Sequence, residues 1–269
     1  MPEFPEVFTI TKNLQKQLKN AVLIEVEYLD YHPKISAIRE LKQLENNQVL
    51  DVYNVSKNII IKFPDENYLV SHLAMTGRYR FSKEKEMFGW DKIRFKFEKN
   101  GNIFFINFTD TRKFGKLILT KTLNVKPEIN PLNINEEQIK KIVSKIQKSK
   151  KTIKELLLDQ NIISGLGNIY CNDTLHLSKI NPEKTGDKLT EEEIRKIISN
   201  AKIILELGIE KGGSSLYDKM YTDIFGNTGN YQDFFQVYNL KICKDCGGEI
   251  TKKMIGGRGT YYCKNCLHL

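Results

Sequence analysis

Lys92-Ile-Arg-Phe-Lys-Phe-Glu-Lys-Asn-Gly-Asn-Ile-Phe-Phe-Ile-Asn-Phe108 decides how this chain folds. Ile93, Phe95 and Phe97 alternate with Arg94, Lys96 and Glu98, the period of a strand with one buried face. Asn100-Gly101 suits a tight hairpin turn, whose central residues need positive φ. Ile103–Phe108 is then the returning strand. Outward from this hairpin the same texture recurs. Ala21–Leu29, Gln48–Val55, Asn58–Phe63, Tyr68–Leu73 and Lys116–Thr120 are short and rich in β-branched residues, and Pro64-Asp-Glu66 is a turn. So many short strands ahead of any long helix predict a β-sandwich. A helix at 5–18 flanks it, with Val7, Ile10, Leu14 and Leu18 on one face. Lys57 is expected on a strand beside Asn58, and Lys83–Met87 as an exposed charged loop.

Residues 121–133, with Pro127, Pro131 and several Asn, form a linker, after which the period becomes helical. Asn135 and Gln138 make a capping box before the stripe Ile139, Ile142, Val143 and Ile146. A second helix spans about 152–159, Gly165-Leu-Gly167 interrupts, and Asn168 begins a third. Thr190 and Glu193 cap a fourth. Residues 211–235, rich in Gly, Tyr and Asp, form a long loop of the kind that often carries function. The expected class is α+β: a sandwich domain at 1–130, a helical domain at 131–238 and a cysteine module at 239–269.

Over these 269 residues, 40% hydrophobic and 28% charged content is that of a soluble protein. No run is long enough to span a membrane, and the N-terminus lacks the pattern of a signal peptide. A net charge of +9 favours a polyanionic partner, nucleic acid or membrane surface. Of five cysteines, four lie from 243 onward, a distribution that fits a reducing interior better than a disulfide-stapled exported protein.

Cys243-x2-Cys246-x16-Cys263-x2-Cys266 can offer four thiolates to one structural Zn²⁺; two disulfides are the alternative. Arg258, on the glycine turn 256–259, is either a phosphate ligand or simply solvated. Gly165-Leu-Gly-Asn168 opens a helix that can offer N–H groups to an anion, or is only a short interhelical connection. Lys150, Lys151 and Lys154 just upstream favour a phosphate-facing surface. Met75, Arg112 and Phe114 could together invade a base stack; singly, Met75 or Phe114 would be core. The chain opens Met1-Pro-Glu-Phe-Pro-Glu-Val7. Met1 is expected to be removed before so small a residue as Pro2. A free α-amine has a pKa of about 7.7–8.0 and can attack an electrophilic carbon, with Glu3 beside it for proton transfer. An ordinary domain start is the plain alternative.

Pro2 to Val7, Ser56-Lys57-Asn58, His72-x2-Met75-x-Gly77, Asp110-x-Arg112-x-Phe114-Gly115, Ile153-Lys154, Gly167-Asn-Ile-Tyr170, Gly212-Gly-Ser-Ser215 and Gly257-Arg-Gly-Thr260 occur in one order. Together they resemble formamidopyrimidine-DNA glycosylase, the bacterial repair enzyme for oxidised purines, over nearly the whole chain. The resemblance implies a helix-flanked β-sandwich, a helix–two-turn–helix domain and a C-terminal zinc finger. It implies Pro2 as nucleophile at C1′ and Glu3 as proton donor. Lys57 and Arg258 match the donors for β- and δ-elimination. His72, Lys150, Lys151, Lys154 and Asn168 are expected to contact DNA, and Met75, Arg112 and Phe114 to fill the gap left by a flipped base. The loop through Tyr217-Asp218 resembles the family's lesion-capping loop. Where the family usually has His-x-His, one histidine of which contacts DNA, this chain has Trp90-Asp-Lys92, and Trp90 is counted among the expected DNA contacts; Asp173 stands where Glu is usual.

These residues predict a glycosylase and abasic-site lyase with one zinc. It would act as a monomer on damaged double-stranded DNA, at the nucleoid in a bacterial cytoplasm and away from membranes. An endonuclease VIII-like enzyme for oxidised pyrimidines and a non-catalytic damage binder are the alternatives.

Overall fold

Helix α1 (Phe4–Leu18) starts where Pro5 supplies a preset φ and Glu6 closes a capping box on the N–H of Glu3, 2.8 Å away. The computed structural model describes residues 1–124, 129–216 and 221–267. They cluster into two units, Met1–Pro127 with Gly212–Asn230, and Glu128–Lys211 with Tyr231–Leu269. Pro127 of the expected linker and Tyr217-Asp218 of the expected capping loop lie outside the described residues.

The first unit is the expected sandwich. Its strands are β1 (Val22–Tyr28), β2 (Asp51–Val55), β3 (Asn58–Lys62), β4 (Tyr68–His72), β5 (Gly77–Ser82), β6 (Asp91–Lys99), β7 (Asn102–Asp110) and β8 (Lys116–Thr120), with a short helix α2 (Ile38–Leu41) after β1. They form two antiparallel sheets, β1-β6-β7-β5 and β2-β3-β4-β8. Hydrophobic side chains from both sheets, among them Ile59, Leu69, Phe95, Ile106 and Phe108, share one core with Val7, Ile10, Leu14 and Leu18 of α1. Phe97 and Phe104 stack across the β6–β7 hairpin with centroids 5.6 Å apart.

Three local expectations change. Lys57 is not on a strand: Ser56-Lys57 is the two-residue turn joining β2 to β3, with Ser56 at φ 53°. Gly77–Ser82 is a strand, β5, which gives its sheet the edge opposite β1. Arg94 faces away from the core yet is buried, because Glu27 and the carbonyl of Glu86 in the otherwise exposed loop cover it. Residues 212–230 also cluster with the sandwich and not with the helices before them. Phe81 N–H donates to Ile224 O at 2.8 Å and Arg80 to Thr222 Oγ1 at 2.7 Å.

The second unit holds α3 (Glu136–Gln147), α4 (Ile153–Leu158), α5 (Asn168–Ser178) and α6 (Glu191–Glu210). Asn135/Gln138, Thr152/Glu155 and Thr190/Glu193 form capping boxes at α3, α4 and α6. The hairpin β9 (Ile250–Ile255) and β10 (Arg258–Cys263), followed by the short helix α7 (Lys264–Leu267), completes it.

Candidate nucleic-acid interface and metal centre

In the first unit, Pro2 is partly exposed just before α1, and Glu3 is buried. The anchor of this terminus is Glu6. Its Oε2 accepts from Glu3 N–H, while its Oε1 accepts from Ser214 N–H at 2.7 Å and Ser214 Oγ at 3.3 Å. Gly213 lies at φ +81°, and a Cβ there would stand 2.7 Å from Glu6 Cγ, so only glycine lets the 212–215 segment approach so closely.

Lys57 is buried at the β2–β3 turn, next to Asn58, which pairs with His72 across β3 and β4. His72 Nδ1 accepts from Ala74 N–H at 3.2 Å. Burial holds its pKa below the ordinary value, and the positive charges of Lys116 and Lys57 push the same way. Both effects favour the neutral ring, whose Nδ1 ties His72 to the start of the loop bearing Met75.

Met75, Arg112 and Phe114 come together on the surface. Arg112 Nη1 lies 3.5 Å from Met75 Sδ, and its guanidinium 4.7 Å from the Phe114 centroid. Met75 and Phe114 are each 43% exposed, which removes them from the core. Asp110, buried at the end of β7, orders both loops. Its carboxylate accepts from Thr76 Oγ1, from Arg112 N–H at 3.2 Å and from Gly115 N–H at 2.8 Å, and lies 3.1 Å from His32 Nε2. Burial alone would raise its pKa, but these hydrogen bonds outweigh that and hold it below the usual range. Trp90 is exposed on the neighbouring β6 end, whereas Asp91 and Lys92 are buried, Lys92 paired with Asp30.

In the second unit, Lys150 and Lys151 are exposed. Lys154 is fully buried, its Nζ 2.9 Å from Asn172 Oδ1 and 3.4 Å from Asn168 O. Asn168 opens α5 and donates to Gly259 O at 2.9 Å, so the helix start and the β9–β10 turn are tied together. That turn, Gly256-Gly257, has φ of 54° and 71°, the pair a tight hairpin demands, and Arg258 projects exposed from it. Asp173 is buried in α5 and accepts from Tyr231 Oη at 2.9 Å, Val237 N–H at 3.0 Å and Tyr238 N–H at 3.2 Å, binding the helix to the segment that leads into the hairpin. Its burial pushes the carboxyl up to about 6, despite those bonds.

The four cysteines fit zinc. All four sulfurs lie within 4.8 Å of one another, with Cys243–Cys266 at 3.7 Å and Cys246–Cys263 at 3.4 Å. Thiolates about 2.3 Å from a tetrahedral ion stand roughly 3.8 Å apart. The Gly248 N–H, with the neighbouring thiols, draws the Cys246 thiol down to about 7, while burial pushes the Cys263 and Cys266 thiols up, so the case for zinc rests on the sulfur geometry.

From sequence, Glu6, His32, Thr76 and Asn172 carry no assigned role, and Asp110 is named only as part of a motif. Only the Glu3/Glu6 spacing of a capping box had a local signal.

Three family matches together span most of the chain. Residues 1–117 match the formamidopyrimidine-DNA glycosylase N-terminal domain, residues 128–219 its H2TH domain, and residues 241–269 a zinc finger found in FPG and IleRS. A formamidopyrimidine-DNA glycosylase of Mycoplasma mobile is 36% identical over 281 residues, covering all of both chains. Among solved structures, a Lactococcus lactis Fpg mutant in complex with Fapy-dG containing DNA superposes with a TM-score of 0.88 at 33% identity, covering all of both chains. The Lactococcus lactis Fpg in complex with abasic site containing DNA gives 0.87 at 32% identity, again over all of both chains.

Proposed function

Because the chain belongs to the formamidopyrimidine-DNA glycosylase family, we propose that it excises oxidised purines such as 8-oxoguanine and formamidopyrimidines from duplex DNA and then cleaves the abasic strand. In the reaction read from these residues, the Pro2 nitrogen attacks C1′ and the C1′–base bond breaks. The base leaves with a proton supplied by Glu3, and an iminium remains between Pro2 and the opened sugar. Loss of a C2′ proton then expels the 3′ phosphate, and a second elimination expels the 5′ phosphate. Lys57 and Arg258 are the cations that grip these phosphates and supply protons as they depart. Lys150, Lys151 and Asn168 hold the backbone elsewhere, and Lys154 acts from its buried position beside Asn168. Four cysteines hold one structural zinc, whose role is to keep the Arg258 turn in place; a site closed by four thiolates offers no position to substrate.

One observation carries this reading. Met75, Arg112 and Phe114 meet as an exposed cluster held by a single buried carboxylate, a rigid apolar and cationic plug of the kind that replaces an extruded base. Among the described residues no helix is long and apolar enough to cross a membrane. A monomer working at the nucleoid in a bacterial cytoplasm is the setting proposed. The test is cleavage of duplexes bearing 8-oxoguanine, thymine glycol or no lesion. Cleavage of the first is expected to dominate. Preferential cleavage of thymine glycol would assign the chain to oxidised pyrimidines, and binding without cleavage would make it a damage-binding protein.

A further inference from the structure

Three strand ends lie side by side at one end of the β1-β6-β7-β5 sheet. Gly77 pairs with Asp110, and Asp91 with Thr109. Met75 lies two residues before the first of these ends and Arg112 two residues after the second. Trp90 lies one residue before the third. The carbonyl of Trp90 accepts from Asp110 N–H at 3.1 Å. The backbone of Trp90 is therefore bonded to the residue whose carboxylate orders the Met75 and Arg112 loops.

Trp90 is 66% exposed, and its backbone is left-handed, at φ 62°. A bulky residue rarely adopts that conformation, and such strain persists only where the surroundings fix it. Asp91 does so: its Oδ2 accepts from Phe88 N–H at 2.9 Å and its Oδ1 from Asn107 Nδ2 at 2.6 Å. The backbone that carries Trp90 is thus fixed, and the indole lies in water rather than folded onto the protein. The loop that follows Asp110, to which Trp90 is bonded, is cationic. Lys34 and Arg112 both lie over Phe114, and Lys113 lies over Tyr31. Exposed rings set among cations are what bases that have lost their stacking partners bind, and such stacking is indifferent to sequence.

Resting on the glycosylase reading above, we propose that Trp90 is a fourth side chain of the base-displacing cluster. Its indole stacks on a base left unstacked beside the lesion, so that it favours distorted over intact duplex without reading sequence.

Trp90 is the chain's one tryptophan, so emission excited at the red edge of protein absorption, where tyrosine does not absorb, reports on it alone. The full-length zinc-bound protein would be titrated with a duplex carrying a tetrahydrofuran abasic analogue and with the intact duplex. Binding would be followed in parallel by anisotropy of a dye on the DNA. Emission is expected to change in step with binding of the analogue duplex, and far less with the intact one. W90A should weaken analogue binding roughly tenfold and leave intact-duplex binding nearly unchanged, while W90F should keep most of the affinity. W90N, whose residue adopts the left-handed backbone readily, should behave like W90A, separating loss of the ring from loss of the turn. Saturating anisotropy with unaltered emission would overturn the proposal, as would W90N binding the analogue as tightly as wild type. A wild-type chain with no preference for the analogue would overturn the glycosylase reading, and the Trp90 proposal with it.

Discussion

Glu6 Oε1 stands 2.7 Å from the backbone nitrogen of Ser214, 208 residues away in sequence. The other oxygen of the same carboxylate holds Glu3 N–H at 2.8 Å. One buried side chain therefore fixes both the terminus that carries Pro2 and the glycine segment at 212–215. Glu6→Ala strands two buried N–H groups, at about 1–3 kcal/mol each. Urea unfolding should show a loss of that order, and base excision should fall further than stability alone explains. A variant with wild-type stability would mean that neither hydrogen bond matters.

Phe114→Ala and Met75→Ala leave the core untouched. Each should slow removal of a damaged base by about tenfold, roughly 1.4 kcal/mol in the barrier, with a much smaller effect on cleavage of ready-made abasic sites, where no base needs extruding. Single-turnover rates on the two substrates make the comparison. Equal losses on both would remove these residues from base displacement.

Metal analysis should give one zinc per chain. Stripping it with a chelator should cost DNA affinity and loosen the β9–β10 hairpin, because the Gly256-Gly257 turn and Arg258 are carried between the two cysteine pairs. Full affinity in metal-free protein would show that the hairpin stands without the ion.

Asp173 gives a pH signature of unusual sign. Its folded pKa, about 6, lies above the unfolded value of about 3.9, so the folded state binds the extra proton between them. Its contribution to stability is fully present below about pH 4 and is lost as pH rises through about 6. Subtracting the stability of Asp173→Asn from that of wild type across pH 4–7 should reveal a fall of up to a few kcal/mol. A difference that rises with pH would mean that the hydrogen bonds from Tyr231, Val237 and Tyr238 outweigh burial.

What sequence could reveal was local. The Asn100-Gly101 hairpin, the Asn135 and Thr190 capping boxes and the four-cysteine spacing each need only a few neighbouring residues, and each stands where its pattern puts it. β5 is short and begins inside the His72-x2-Met75-x-Gly77 motif, so the alternation of Arg78, Tyr79, Arg80 and Phe81 has no turn to set it apart. Lys57 reads as a strand residue because the two-residue turn at Ser56-Lys57 carries no glycine to announce it. Asp110 and Glu6 were invisible as anchors. Their partners, His32 and Thr76 for one and Ser214 for the other, are distant in sequence and meet only in the folded sandwich.

Borohydride trapping on a lesion duplex tests the Pro2 chemistry most directly. An amine at Pro2 forms an iminium that borohydride reduces to a stable protein–DNA adduct. With any residue joined before it, that nitrogen is an amide whose lone pair is delocalised. Protein processed to begin at Pro2 should therefore give the adduct. Protein carrying an uncleavable N-terminal extension should give none, while still binding the duplex and its zinc. Full trapping yield from the extended protein would contradict Pro2 as the nucleophile and turn attention to Lys57.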